Sequence, residues 1–184
     1  SLDSVLSDTN DTIGIVDTSV GIQAQLAELV INLAQIDAIN SNTDSTAINM
    51  TASQFNSLDG LLLTSDKIGI VDTSANITTQ LAELVTNVAQ IDAINSSNDG
   101  TGINLTASQF NSLDGVLSDT NDTINIIDTS AGIQAELAEL AANVGQIDAI
   151  NSSNDGTAIN MTASQFNSLD SVLSDTNDTI GIVD

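Results

Sequence analysis

Apolar and polar positions alternate along this chain with a period that switches back and forth, and the switches predict the elements. In TIGIVD, Thr12–Asp17, β-branched residues alternate with small ones, the mark of a strand. The following DTS offers three residues suited to cap a helix. Ile22, Leu26, Leu29 and Leu33 then recur at helical spacing, with Gln23, Gln25, Glu28 and Asn32 between them. That pattern predicts an amphipathic helix of about four turns with one buried stripe. QIDAIN, Gln35–Asn40, and AINM, Ala47–Met50, read as two further strands. The Asn-, Asp- and Gly-rich stretch between such strands reads as a hairpin turn, because these residues tolerate positive φ.

Next comes MTASQFNSLDG. Thr51 and Gln54 have the spacing of a capping box, in which the hydroxyl accepts from one free N–H and the amide reaches back to another. Phe55 and Leu58 then face the core from a short helix that Gly60 would end.

Every one of these features returns. Phe55, Phe110 and Phe166 are spaced by 55 and 56 residues, as are Glu28, Glu83 and Glu139, and Asp37, Asp92 and Asp148. The helical stripe recurs as Ile77, Leu81, Leu84 and Val88, and as Ile133, Leu137, Leu140 and Val144. The capping boxes recur as Thr106 with Gln109 and Thr162 with Gln165. Residues 1–17 read as the end of a preceding unit, followed by units at 18–72, 73–128 and 129–184. The copies differ in length by one residue between Asp59 and Asp72, which predicts a surface loop there, carrying the single Lys67. Residues 1–17 are identical to residues 168–184, so the chain returns to its start after three units. Such a pattern suggests an excerpt of a longer array.

The predicted unit is therefore β-α-β-β-α in about 55 residues. One such unit buries little apolar surface by itself, whereas stacked units share it. The expected fold is an α/β tandem-repeat solenoid, an elongated rod with strands stacked along its length and helices flanking them. Separate beads are the alternative, but no Pro- or Gly-rich linker parts the copies.

Charge changes the picture. There are 25 Asp and Glu against one Lys, for a net charge of −24, with no His, Cys, Pro, Trp or Tyr. Apolar residues make up 41%, enough for a core, so the charge does not imply disorder. A single cation cannot displace counterions from a phosphate backbone, which argues against nucleic-acid partners, and anionic membrane surfaces repel the chain equally. No apolar run approaches the length of a membrane span, so membrane insertion is not expected. Zero Cys removes disulfides and thiolate metal sites. Self-repulsion at this charge weakens in a salty medium, where the Debye length falls to roughly 4 Å. An extracellular or cell-surface setting fits.

The residues available for catalysis are carboxylates, hydroxyls and one Lys, and each Asp recurs in every unit as a structural position would. The expectation is a non-enzyme with no catalytic residue, no small-molecule substrate and no phosphate loop. Calcium is the one cofactor the residues raise, since it takes oxygen ligands from Asp, Asn and carbonyls. The LSDTNDT loop supplies Asp8, Asn10 and Asp11; its copies supply Asp119, Asn121 and Asp122, and Asp175, Asn177 and Asp178. SSNDG adds Asn98 and Asp99. The spacing matches neither the EF-hand loop nor the calcium nonapeptide, and Asx-turns account for the same residues. Asp17 and its copies read as helix caps. Asp37, Asp92 and Asp148 read as strand residues facing solvent, and the three Phe as core.

The run VDTSANITTQLAELV…QIDAINSSNDG…INLTASQF resembles repeats of very large secreted surface proteins of bacteria. In those, DTAANI-like residues lead into a helix with spaced Leu, and an LTLTAAQ-like strand-to-helix step follows. The matching positions are Asp72, Thr73, Ala75, Asn76, Ile77, Leu81 and Leu84, then Leu105, Thr106, Ala107 and Gln109. The resemblance covers every unit. It implies a structural or adhesive role at the cell surface, often beside calcium-binding modules and type I secretion, although the calcium nonapeptide is missing here. The expected function is an extracellular filament, surface layer or stalk that self-associates. The alternative is a spacer or ligand-binding region of a large adhesin, stabilised by calcium.

Overall fold

The computed structural model describes residues 12–41, 45–97, 100–117, 123–153, 156–173 and 179–183. Each copy opens on a β-branched strand: β1 (Gly14–Asp17), β4 (Ile68–Asp72) and β7 (Thr123–Asp128). Each strand runs into a helix capped by a threonine hydroxyl. Thr18 Oγ1 accepts from Gly21 N–H at the start of α1 (Ser19–Ile31), and Thr73 Oγ1 from Asn76 N–H at the start of α3 (Ser74–Thr86). The buried stripe is Ile22, Leu26 and Leu29 in α1 and Ile77, Leu81 and Leu84 in α3. Leu33 and Val88 fall outside the helix, because the chain tightens into a 3-10 turn at Leu33–Gln35 and at Val88–Gln90. In the third copy the helix divides at Glu136 into α5 (Ser130–Ala135) and α6 (Leu137–Ala142).

The remaining strands are β2 (Ala38–Ser41), β5 (Ile91–Ser96) and β8 (Ala149–Ser152), then β3 (Ile48–Met50), β6 (Gly102–Leu105) and β9 (Ile159–Met161). The short helices α2 (Ala52–Leu58), α4 (Ala107–Leu113) and α7 (Ala163–Leu169) follow, and β10 (Ile180–Ile182) is last. All three capping boxes are formed in both halves, at Thr51 and Gln54, Thr106 and Gln109, and Thr162 and Gln165.

The protein is α/β with parallel sheets. β1 pairs with β2; β3, β4 and β5 form one three-stranded sheet and β6, β7 and β8 another; β9 pairs with β10. Every one of these pairings is parallel. Consecutive sheets interleave. After β2 the chain makes β3, the first strand of the next sheet, and only then returns through α2 to place Leu62 beside Ile39 of β2. Leu117 beside Ile94 and Leu173 beside Ile150 repeat the manoeuvre. One apolar cluster runs through all three copies, from Ile22 to Val172, with Ile39, Ile70, Phe55, Phe110 and Ile150 inside it.

Two sequence expectations are corrected by the structure. The strands flanking NDG are not a hairpin: β2 and β3, β5 and β6, and β8 and β9 belong to different sheets. The turn keeps its positive φ, at Gly100 (φ 77) and Gly156 (φ 74), and the first copy forces Ser45 into the same region at φ 62. The length difference falls, as expected, in an irregular and largely exposed stretch, Gly60–Lys67, pinned by two buried residues. Leu62 is buried, and so is Asp66, whose carboxylate accepts from Ser41 N–H, Ser41 Oγ and Leu63 N–H. Gly60 and Gly115 have no positive φ. The short helix ends instead on an Asp in right-handed conformation, whose carboxylate accepts from the next N–H, which is why Ser171 serves in the third copy.

Candidate functional site

A carboxylate at the end of each central strand ties two helices together. Asp72 Oδ1 accepts from Thr73 N–H at 2.8 Å, and its Oδ2 accepts from Ala52 N–H at 3.1 Å. Ala52 begins α2, twenty residues earlier, so one side chain serves the N-termini of α2 and α3, where a negative charge meets free N–H groups. Asp128 does the same for Thr129 and for Ala107 of α4, at 2.7 and 3.1 Å. The capping reading of these Asp residues holds and extends to a second helix. Where the helix carries Asn76, that amide also donates to Asp72; where it carries Gly21 or Gly132, a side chain there would collide with the Asp carboxylate.

Asp37, Asp92 and Asp148 are exposed as expected, yet each is engaged. Asp92 Oδ2 accepts from Ile68 N–H at 2.9 Å and Asp148 Oδ2 from Ile124 N–H at 2.8 Å; Asp37 accepts from Ile13 N–H. The β4–β5 register skips at Asp92, leaving an N–H without a ladder partner, and the carboxylate supplies one. The outer strands are covered as well. Asn49 N–H of β3 donates to Gln23 of α1, Asn104 N–H of β6 to Thr78 of α3, and Asn160 N–H of β9 to Gln134 of α5. A sheet edge whose N–H is occupied is a poor template for a foreign strand.

With one Lys in the chain, neutral amides do what cations do elsewhere. Asn87 Nδ2 donates to Asp59 at the end of α2, at 2.7 Å, and to Glu83 on its own helix. Asn143 repeats this with Asp114 and Glu139. Each Asn sits between two carboxylates from different elements and fixes a short helix against the long helix that follows.

The two ends of the described chain expose what the interior covers. Ile13, Ile15, Leu29 and Ile36, with Glu28, Asn32 and Gln35, line an open apolar pocket of about 140 Å³. Their counterparts one copy on are Ile68, Ile70, Leu84 and Ile91, all buried, with α2 packed on α3 and β4. At the other end Phe166 is 38% exposed, whereas Phe55 and Phe110 are 0%. The expectation that all three Phe are core is corrected for Phe166. α2 lies between α1 and α3, and α4 between α3 and α5–α6, whereas α7 packs chiefly on α6.

The nine calcium candidates, Asp8, Asn10, Asp11, Asp119, Asn121, Asp122, Asp175, Asn177 and Asp178, lie outside the described residues, as do Asn98 and Asp99. Among the described residues no group of three or more acidic side chains is placed to hold a metal. No helix among them is long and apolar enough to cross a membrane. No family model matches the chain, and neither a curated protein nor a solved structure matches it significantly. Sequence reasoning missed the dual role of Asp72 and the roles of Asp92, Asn87 and Gln23. The available signal was the recurrence of Asp72, Asp92 and Asn87 at fixed repeat positions.

Proposed function

We propose that this is a non-enzymatic structural repeat protein, an α/β solenoid whose copies stack into a rod for an extracellular filament, surface layer or stalk. The observation that carries the reading is the interleaving of sheets. Each sheet is completed only after the next has begun, at Leu62, Leu117 and Leu173, which supports stacked copies over separate beads. The continuous apolar cluster and the Asp72 and Asp128 clamps support the same reading, since both join one copy to another.

The surface supports it too. The described acidic side chains are spent on helix ends, strand ends and amides, uses that recur from copy to copy, as a scaffold requires. A charge of −24 keeps neighbouring rods apart and favours a salty surrounding, and the resemblance to bacterial surface repeats points the same way. Electron microscopy of the protein in salt tests the proposal: rods or fibres one unit wide are expected, and compact globules refute it.

A further inference from the structure

We propose that two chains pair side by side, antiparallel, through the outer face of their long helices, α1 of each set against α5–α6 of the other. This rests on the rod reading and names the flank by which two rods join. On α1 the face is Val20, Ala24, Ala27 and Ile31, one stripe at helical spacing. Val20 is 67% exposed and Ile31 76%, the two most exposed large apolar side chains among the described residues. The face is not an edge of the array. Its counterparts on α3, Ala75, Thr79, Ala82 and Thr86, stay exposed although α2 packs on one side of that helix and α4 on the other. In the third copy the same positions are Ala131, Ala135, Ala138 and Ala142, again exposed.

Charge selects the occupant. None of these positions is charged, in a chain of net charge −24. Acids bordering the face are held sideways, Glu28 by Asn32, Glu83 by Asn87, Glu139 by Asn143 and Glu136 by Asn111. Hydroxyls on the face are spent within their own helix: Thr79 donates to the Ala75 carbonyl and Thr86 to the Ala82 carbonyl, both at 2.8 Å. A cationic partner would be drawn to the acids instead. A second chain of the same charge meets least repulsion where neither surface carries any.

Bulk selects the orientation. The helices pack side by side in chain order, so their outer faces follow one another along the rod. With two rods parallel, a twofold axis along them sets Val20 on Ile31 of the other chain and leaves the alanines of α5–α6 facing alanines. With the rods antiparallel, the axis runs along α3. Val20 then lies over Ala131 and Ile31 over Ala142 of the other chain, and α3 meets itself. Large side chains thus fill the space over small ones, which the parallel pair leaves empty. The contact is isologous, so each pair makes it twice. An array that returns to its first unit after three keeps this match along its length, since the reversed order still sets first units on third.

Sedimentation equilibrium of the full chain over a range of protein and sodium chloride concentrations tests this. Single rods are expected at the dilution of microscopy, and dimers as protein and salt rise and repulsion is screened. The double variant Val20→Gln with Ile31→Gln keeps the charge and alters exposed sites only. It is expected to melt cooperatively and to pair about tenfold or more weakly. Val71→Gln, at an exposed apolar residue of β4, is the control and is expected to leave pairing unchanged. The chain has no Cys, so introduced thiols report the orientation. Ala82→Cys is expected to form a disulfide between two chains, and Ile31→Cys to do so with Ala142→Cys but not with itself. A folded chain that stays monomeric throughout overturns the pairing, as does a dimer indifferent to the double variant or linked through Ile31→Cys alone. A monomer that binds uncharged phosphatidylcholine vesicles gives the face to lipid and overturns it too. X-ray scattering separates the two failures: an elongated chain that never pairs refutes the face alone, and a globular one refutes the rod.

Discussion

The carboxylate of Asp72 accepts a hydrogen bond from the N–H of Ala52, twenty residues before it, and in doing so fixes the start of one helix to the start of another. Asp72 is only 8% exposed, so the bond is shielded from water. Replacing Asp72 with Ala leaves Ala52 and Thr73 N–H groups without this acceptor. The expected loss is about 2–3 kcal/mol, a drop of several degrees in melting temperature. Thermal melting followed by circular dichroism checks it, and Asp128→Ala is expected to act similarly through Ala107.

Phe110 and Phe166 are the same residue in the same motif with different surroundings. Phe110→Ala removes a fully buried ring and is expected to cost about 3–5 kcal/mol. Phe166→Ala, measured in dilute protein at low salt, is expected to cost less than half as much. Urea unfolding of the two variants side by side makes the comparison.

Ser45 sits at φ 62 where the other copies have Gly100 and Gly156. A Cβ in that region is strained, so Ser45→Gly is expected to stabilise the protein by about 0.5–1 kcal/mol. Gly100→Ser is expected to destabilise it by a similar amount. Opposite signs from two exchanges at one repeat position are a sharp outcome for denaturant titration.

Asp66 occupies the repeat position of Asp11, Asp122 and Asp178, and its oxygens are taken by Ser41 and Leu63. That makes Asp66 itself a structural acceptor. Sodium, magnesium and calcium chlorides at equal ionic strength are then expected to raise the melting temperature alike, by screening. A rise specific to calcium, reversed by a chelator, would reveal a cation site. Ser41→Ala is expected to cost about 1 kcal/mol or more through the loss of one donor to a buried carboxylate.

How much of this the sequence declares depends on the reach of each interaction. The Thr51–Gln54 box closes within four residues, so it is legible from spacing alone, as are the stripe Ile22, Leu26 and Leu29 and the turn at Gly100. Partners farther off are not. Asp92 meets Ile68, and Asn49 meets Gln23, only because the fold brings together residues 24 and 26 positions apart. The NDG turn was readable as a turn but not as a passage between sheets, because turn chemistry is local and strand pairing is not. For the same reason Phe166 reads like Phe55: the motif is constant, and the neighbouring helix that buries it lies outside the motif.

Small-angle X-ray scattering of the monomer in salt tests the central claim most directly, that the copies form one extended column through shared interiors. A globular domain of this length has a radius of gyration of about 16 Å. The account predicts a clearly larger value with the profile of a rod one unit in cross-section. A value near that of a sphere, with a compact profile, would contradict it.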